Sequence, residues 1–109
     1  MKDWYCCIFK DEKPFDRNDL QWVKNYGSSY KGKTLHTWDE GYRILWRCRK
    51  CGHYVLEQYS EIHMPDSVYI DLFPVKDEDH VERINERYDG FEIETCYHHK
   101  KIFFTYNYD

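Results

Sequence analysis

A chain of 109 residues is long enough for one domain and too short for two of ordinary size, so a single domain over 1–109 is expected. Charged residues make up 33% and mean hydropathy is −0.94, a balance that leans toward disorder, but the 19% aromatic content supplies enough apolar ring surface to argue for a packed core. A net charge of −4 and a pI of about 5.8 argue against a generic nucleic-acid binder, and no apolar run approaches the roughly 20 residues of a membrane span, which points to a cytoplasmic protein with no membrane partner.

In chain order, Trp4 to Phe9 alternates as a strand, which would send the adjacent Cys6 and Cys7 to opposite faces. After Pro14, Asp16 is placed to cap a helix reaching about Tyr26, with Leu20, Val23 and Tyr26 on its buried side and Gly27 stopping it. Ser28 to Thr34 carries loop signals. Arg43 to Arg47 and His53 to Tyr59 read as two strands joined by a short hairpin tip, Cys48-Arg49-Lys50-Cys51-Gly52. Ser67 to Phe73 alternates Val68, Ile70 and Leu72 against Tyr69, Asp71 and Phe73, closing at Pro74. Val81, Ile84 and Tyr88 mark an amphipathic helix from Asp77 to Tyr88. Residues 91 to 106 read as a hairpin turning at His98-His99-Lys100. Strands interrupted by two helices without βαβ alternation predict an α+β fold, an antiparallel sheet of five to six strands with two helices.

Five cysteines cannot form a complete disulfide framework, which favours thiol or metal chemistry. Two thiols three residues apart reach one ion when the chain turns tightly, with sulfurs about 3.7 Å apart, and Gly52 permits the positive φ of such a turn. The segment Cys48-Arg49-Lys50-Cys51-Gly52 resembles the knuckle of zinc-ribbon proteins. That resemblance implies Zn2+ and two more ligands, which in zinc ribbons come from a second Cys-x-x-Cys that is missing here. Cys96 and His98, projecting from one strand face, are the first choice to complete the site; one sulfur of the Cys6 and Cys7 doublet is the alternative, with His53 and His99 behind them. A redox disulfide is a third reading, since Arg49 and Lys50 favour a thiolate, but thioredoxin-type sites open a helix and Gly52 is followed by a strand.

No G-x-S-x-G, H-E-x-x-H or P-loop pattern is present, so an enzyme is disfavoured and no catalytic residue is assigned. Six basic residues fall between Lys31 and Lys50, whereas eight acidic ones fall between Lys76 and Glu94. Small size, an acidic helix and many tyrosines favour a non-enzymatic protein-binding module, an inhibitor, immunity protein or adaptor whose partner is another, basic, protein. The alternative is nucleic-acid binding through the knuckle, with Arg43, Arg47, Arg49 and Lys50 on phosphates and Trp46 or Tyr54 stacking a base.

Overall fold

A computed structural model describes residues 3–10, 17–36, 39–64, 66–90, 93 and 100–105. The elements are β1 (Leu20–Gly27), β2 (Ser29–Tyr30), β3 (Lys33–Thr34), β4 (Glu40–Cys48), β5 (Tyr54–His63), β6 (Asp66–Val75), α1 (Glu78–Arg87) and β7 (Lys100–Thr105). A five-stranded antiparallel sheet runs in the order β1-β4-β5-β6-β7, and β2 with β3 forms a small separate hairpin. The α+β class is therefore present, with one helix among the described residues in place of the two expected.

The segment expected to be the first helix is the edge strand β1, and its register shows why it reads as helical. Leu20 to Trp22 pair with Cys48 to Trp46, Lys24 and Asn25 with Leu45 and Ile44, and Gly27 with Arg43, so Val23 and Tyr26 are extra residues at two irregularities. Each bulge inserts a residue and re-aims its neighbour, turning the period of two into a spacing of three that mimics a helix. Val23 and Tyr26 both pack toward α1, while Leu20 faces the other side of the sheet.

Two further corrections concern the chain before and after the central strands. Cys7–Phe9 is a turn of 3-10 helix, not strand. At the far end, Ile93 donates its amide to the Asp89 carbonyl at 3.2 Å, a helical spacing where an extended strand was expected. The rest of the strand expected over 91–98 lies outside the described residues. The loop expected from Ser28 to Thr34 holds the β2-β3 hairpin, whose turn residues Lys31 and Gly32 have φ of 50° and 83°. Two consecutive positive φ angles are what a tight two-residue hairpin requires.

The central strands give the sheet two apolar faces. On one, Cys48, Val55, Val68, Ile70 and Leu72 pack under Cys6 and Ile8 of the amino-terminal segment. On the other, Leu45, Leu56, Phe73 and Val75 pack against Val81 and Ile84 of α1. Burial of both faces explains why β6 is buried at nearly every position and does not show a polar side. The helix begins as expected: the Asp77 side chain accepts the His80 amide at 2.8 Å, and Glu78 and Asp79 sit in the first turn where the helix dipole favours anions.

Beneath α1 runs a buried polar row, Arg43, Gln58 and Asp71, at paired positions on β4, β5 and β6. Arg43 donates to Gln58 Oε1 at 3.2 and 3.0 Å, to Asn85 Oδ1 at 2.8 Å and to the Tyr88 carbonyl at 3.4 Å. Burial pulls its guanidinium down to about 10, against the opposing pull of Asp89. Two residues before Arg43 on β4, Gly41 has no room for a side chain, because a Cβ there would overlap the Tyr59 carbonyl and lie 2.6 Å from His36 Cβ.

Replacing Arg43 with Ala leaves Gln58 and Asn85 acceptors buried without their donor and should cost about 3 to 5 kcal/mol in denaturant unfolding. A loss below about 1 kcal/mol would show that the row contributes little.

Candidate metal centre

The tip joining β4 to β5 is a knuckle built by its own backbone. Gly52 (φ 78°) returns its amide to the Cys48 carbonyl at 2.9 Å, and the Cys48 amide reaches the His53 carbonyl at 2.9 Å. Arg47 Nε closes over the turn onto the Gly52 carbonyl at 3.0 Å. The residues preceding β1 brace it from the side: the Arg49 amide donates to the Asp19 carbonyl at 2.7 Å, and Lys50 Nζ lies 3.1 Å from Asp19 Oδ2.

Opposite this tip lies the Cys6-Cys7 doublet. Cys6 caps the 3-10 turn and Cys7 opens it, with the Phe9 and Lys10 amides bonded to the Cys6 and Cys7 carbonyls at 3.0 Å. In a strand these neighbours would diverge. The tight turn instead carries both side chains toward the knuckle.

The result is a cluster of four sulfurs, Cys6, Cys7, Cys48 and Cys51, all within 4.8 Å of one another and able to hold a metal ion. Cys6 and Cys51 are 3.5 Å apart, and Cys7 and Cys48 are 3.7 Å apart. A regular tetrahedron of sulfurs about 2.3 Å from a central ion has edges of about 3.8 Å, close to these spacings and far from a disulfide's roughly 2.05 Å. Cys6 and Cys48 are 0% and 2% exposed, whereas Cys7 and Cys51 are half-buried.

The electrostatics suit anionic sulfur at the knuckle. Burial opposes ionisation of Cys51 most strongly, yet the backbone amides of Cys7 and His53, with the thiols of Cys6 and Cys48, outweigh it and bring Cys51 down to about 7. Burial and the neighbouring Cys48 thiol push Cys7 up to about 11. Burial also raises Cys6, against the pull of the Ile8 amide.

Of the residues singled out from the sequence, Cys48 and Cys51 stand in the cluster as expected. Both doublet cysteines join them, where one sulfur was weighed as the alternative; the missed signal was the doublet itself, masked by its strand-like alternation. Cys96, His98 and His99 lie outside the described residues, and His53 contributes its backbone to the knuckle. Trp46 packs half-buried against the cysteine-side core and donates Nε1 to Glu57 at 2.8 Å. Tyr54 packs toward α1, with the Arg47 guanidinium 5.7 Å from its ring centre.

A second cluster, not singled out from the sequence, sits at the other end of β4. Glu40, Glu61 and His63 bring three potential ligand atoms together, with His63 Nε2 2.9 Å from Glu40 and 3.5 Å from Glu61. Asp39 accepts the His63 amide at 2.9 Å. These acids rim a recess of about 410 Å³ that is also lined by Tyr42 and Tyr59, whose rings stack 4.7 Å apart. Comparison with protein-family models, with curated proteins and with solved structures finds no match to this chain.

Two outcomes are expected. Linking Cys6 to Cys51 through an ion closes a loop spanning 45 positions, worth on the order of 4 kcal/mol in chain entropy. Cys6→Ala and Cys48→Ala should therefore abolish metal retention and lose about 3 to 5 kcal/mol, while Cys96→Ser and His98→Gln keep the metal, as read by elemental analysis and denaturant unfolding. Loss of metal in either of the last two variants would reassign the ligands. The second outcome concerns His63, whose pKa is raised above 6.5 chiefly by the Glu40 carboxylate, against desolvation and with help from Asp39 and Glu61. Its ion pair is thus fully stabilising below the unfolded value of 6.5 and is lost as pH rises through the higher folded value. The stability gap between the native chain and His63→Gln should narrow across that interval; a gap that widens would reverse the assignment.

Proposed function

We propose that Cys6, Cys7, Cys48 and Cys51 hold a structural zinc ion in a small non-enzymatic protein-binding module, an inhibitor, immunity protein or adaptor acting on a basic partner. The observation that carries the metal half is the meeting of four sulfurs from two distant segments within 4.8 Å. Thiolates select soft cations, a tetrahedral set of four selects zinc or iron, and four protein ligands fill a zinc shell with no position left for water or substrate. Such a closed shell suits a staple and leaves no open position for catalysis on the ion.

The binding half draws on the recess at the other end of β4. Glu40 and Cys48 bound this nine-residue strand, so the two sites lie roughly 26 Å apart at about 3.3 Å per residue. Asp39, Glu40 and Glu61, set around stacked tyrosine rings, offer carboxylates and a π face to a lysine or arginine side chain. Tyrosine is also a frequent anchor at protein interfaces.

Nucleic-acid binding at the knuckle has less to draw on. Arg43 is buried beneath α1, Lys50 is paired with Asp19, Arg47 is engaged with the Gly52 carbonyl, and the Trp46 ring packs half-buried against the core. Of the four basic residues, Arg49 is an exposed one whose side chain is in none of these contacts.

Purified chain should carry about one zinc per molecule, and elemental analysis finding neither zinc nor iron would sink the metal reading. A basic partner recovered with the chain should associate about tenfold more slowly with the Asp39→Asn, Glu40→Gln, Glu61→Gln triple variant at low salt. Salt-sensitive retention on mixed-sequence DNA, abolished by neutralising Arg47, Arg49 and Lys50, would favour the nucleic-acid reading instead.

A further inference from the structure

The four sulfurs are not equivalent, and their arrangement has a direction. Two of the close contacts each join one sequestered sulfur to one accessible sulfur: Cys6, fully buried, with half-buried Cys51 at 3.5 Å, and Cys48, 2% exposed, with half-buried Cys7 at 3.7 Å. Both cross from the amino-terminal turn to the knuckle, spanning 45 and 41 positions of the chain. Cys51 also interacts with Cys48 and with Cys7, so the crossed pairs are set apart by joining buried to accessible sulfur and by the length of chain they close.

We propose that the centre is a peroxide-responsive thiol switch in which oxidation joins Cys51 to Cys6 and Cys7 to Cys48, expelling the ion while the amino-terminal turn stays fastened to the sheet. This rests on the thiolate centre of the preceding reading. The oxidant is a hydroperoxide, with hydrogen peroxide as the simplest case.

In each pair the accessible thiolate attacks one peroxide oxygen; the S–O bond forms, the O–O bond breaks and hydroxide leaves, giving a sulfenic acid. The buried partner thiolate then attacks that sulfur, the S–S bond forms and a second hydroxide leaves. Two thiolates lose two electrons to one peroxide. Four thiolates with two peroxides therefore yield two disulfides, four hydroxides and the freed divalent cation.

The geometry favours this pairing over the local one. Contacts of 3.5 and 3.7 Å need to close by about 1.5 Å to reach bonding distance, within the range of small side-chain rotations. A disulfide between adjacent Cys6 and Cys7 would force a strained eight-membered ring. One between Cys48 and Cys51 would leave both doublet sulfurs without a partner in the knuckle. Crossed disulfides preserve the 41- and 45-residue closures that the ion supplied, so the oxidised chain keeps its fold and reverts with a dithiol and added metal.

The test uses the full chain loaded with zinc, treated with hydrogen peroxide, with a chromogenic chelator reporting released metal. Mass spectrometry then maps the disulfides after cleavage at Arg49 and Lys50, which separates Cys48 from Cys51, and fragmentation between Cys6 and Cys7 completes the assignment. The expected result is complete zinc release at about two peroxides per ion, Cys6–Cys51 and Cys7–Cys48 links, and unfolding midpoints above those of the reduced metal-free chain. In Cys7→Ser the Cys6–Cys51 link should still form, leaving Cys48 as a thiol.

Links between Cys48 and Cys51, between Cys6 and Cys7 or to Cys96, or sulfinic acids without disulfides, in a chain that carried zinc beforehand, would overturn the switch and leave the zinc reading intact. A chain that carries no metal beforehand yet forms the crossed links would overturn the ion-release step and uphold the pairing.

Discussion

Two segments of this chain that are more than forty residues apart meet at one point, and the cysteine-side core is assembled around that meeting. The β4-β5 tip is held by its own backbone hydrogen bonds and the glycine turn. The amino-terminal segment has less of its own to hold it. Its 3-10 turn is three residues long, too short to be stable alone, and the segment deeply buries Cys6 and Ile8, with Cys7 half-buried. A core of this kind, with few large aliphatic side chains on its covering side, gains most from a cross-link that removes chain entropy. The sulfurs are the part of the segment best placed to provide one.

The opposite face follows different rules. There α1 lays Val81 and Ile84 onto Leu45, Leu56, Phe73 and Val75, an ordinary helix-on-sheet contact, but the row Arg43, Gln58 and Asp71 runs through it. A guanidinium with no exposure is costly unless its donors are satisfied, and Gln58, Asn85 and the Tyr88 carbonyl supply four of the bonds. Because those acceptors come from a strand, a helix and the residue after it, the row also fixes where α1 sits over the sheet. Apolar contact alone would permit sliding; directed hydrogen bonds do not.

Much of the central sheet was legible because it obeys simple periodicities. The alternation of Val68, Ile70 and Leu72 against Tyr69, Asp71 and Phe73 survives intact, and the start of α1 and its apolar stripe lie where the sequence places them. The errors share one cause, local geometry that breaks a period. Bulged residues in β1 space Val23 and Tyr26 like a helix, and a tight turn brings Cys6 and Cys7 together although alternation would separate them. Half of the candidate centre, Cys48 and Cys51, was therefore visible as a motif. The other half depended on a pairing between remote segments that no local pattern encodes. The recess at Glu40 and Glu61 was invisible for the same reason, since its residues come from the start of one strand and the end of its neighbour.

The order of the cysteines along the chain has a consequence for biosynthesis. On a ribosome the doublet emerges first and must wait, as two adjacent unprotected thiols, until the hairpin tip has been made. All four sulfurs can meet only after Cys51 has left the exit tunnel, by which point the first strand is already available to pair. Were the proposed ion bound, its capture would be tied to a reducing interval during translation, and a shortage of metal or of reductant would be felt in the newly made pool before it touched the molecules already assembled.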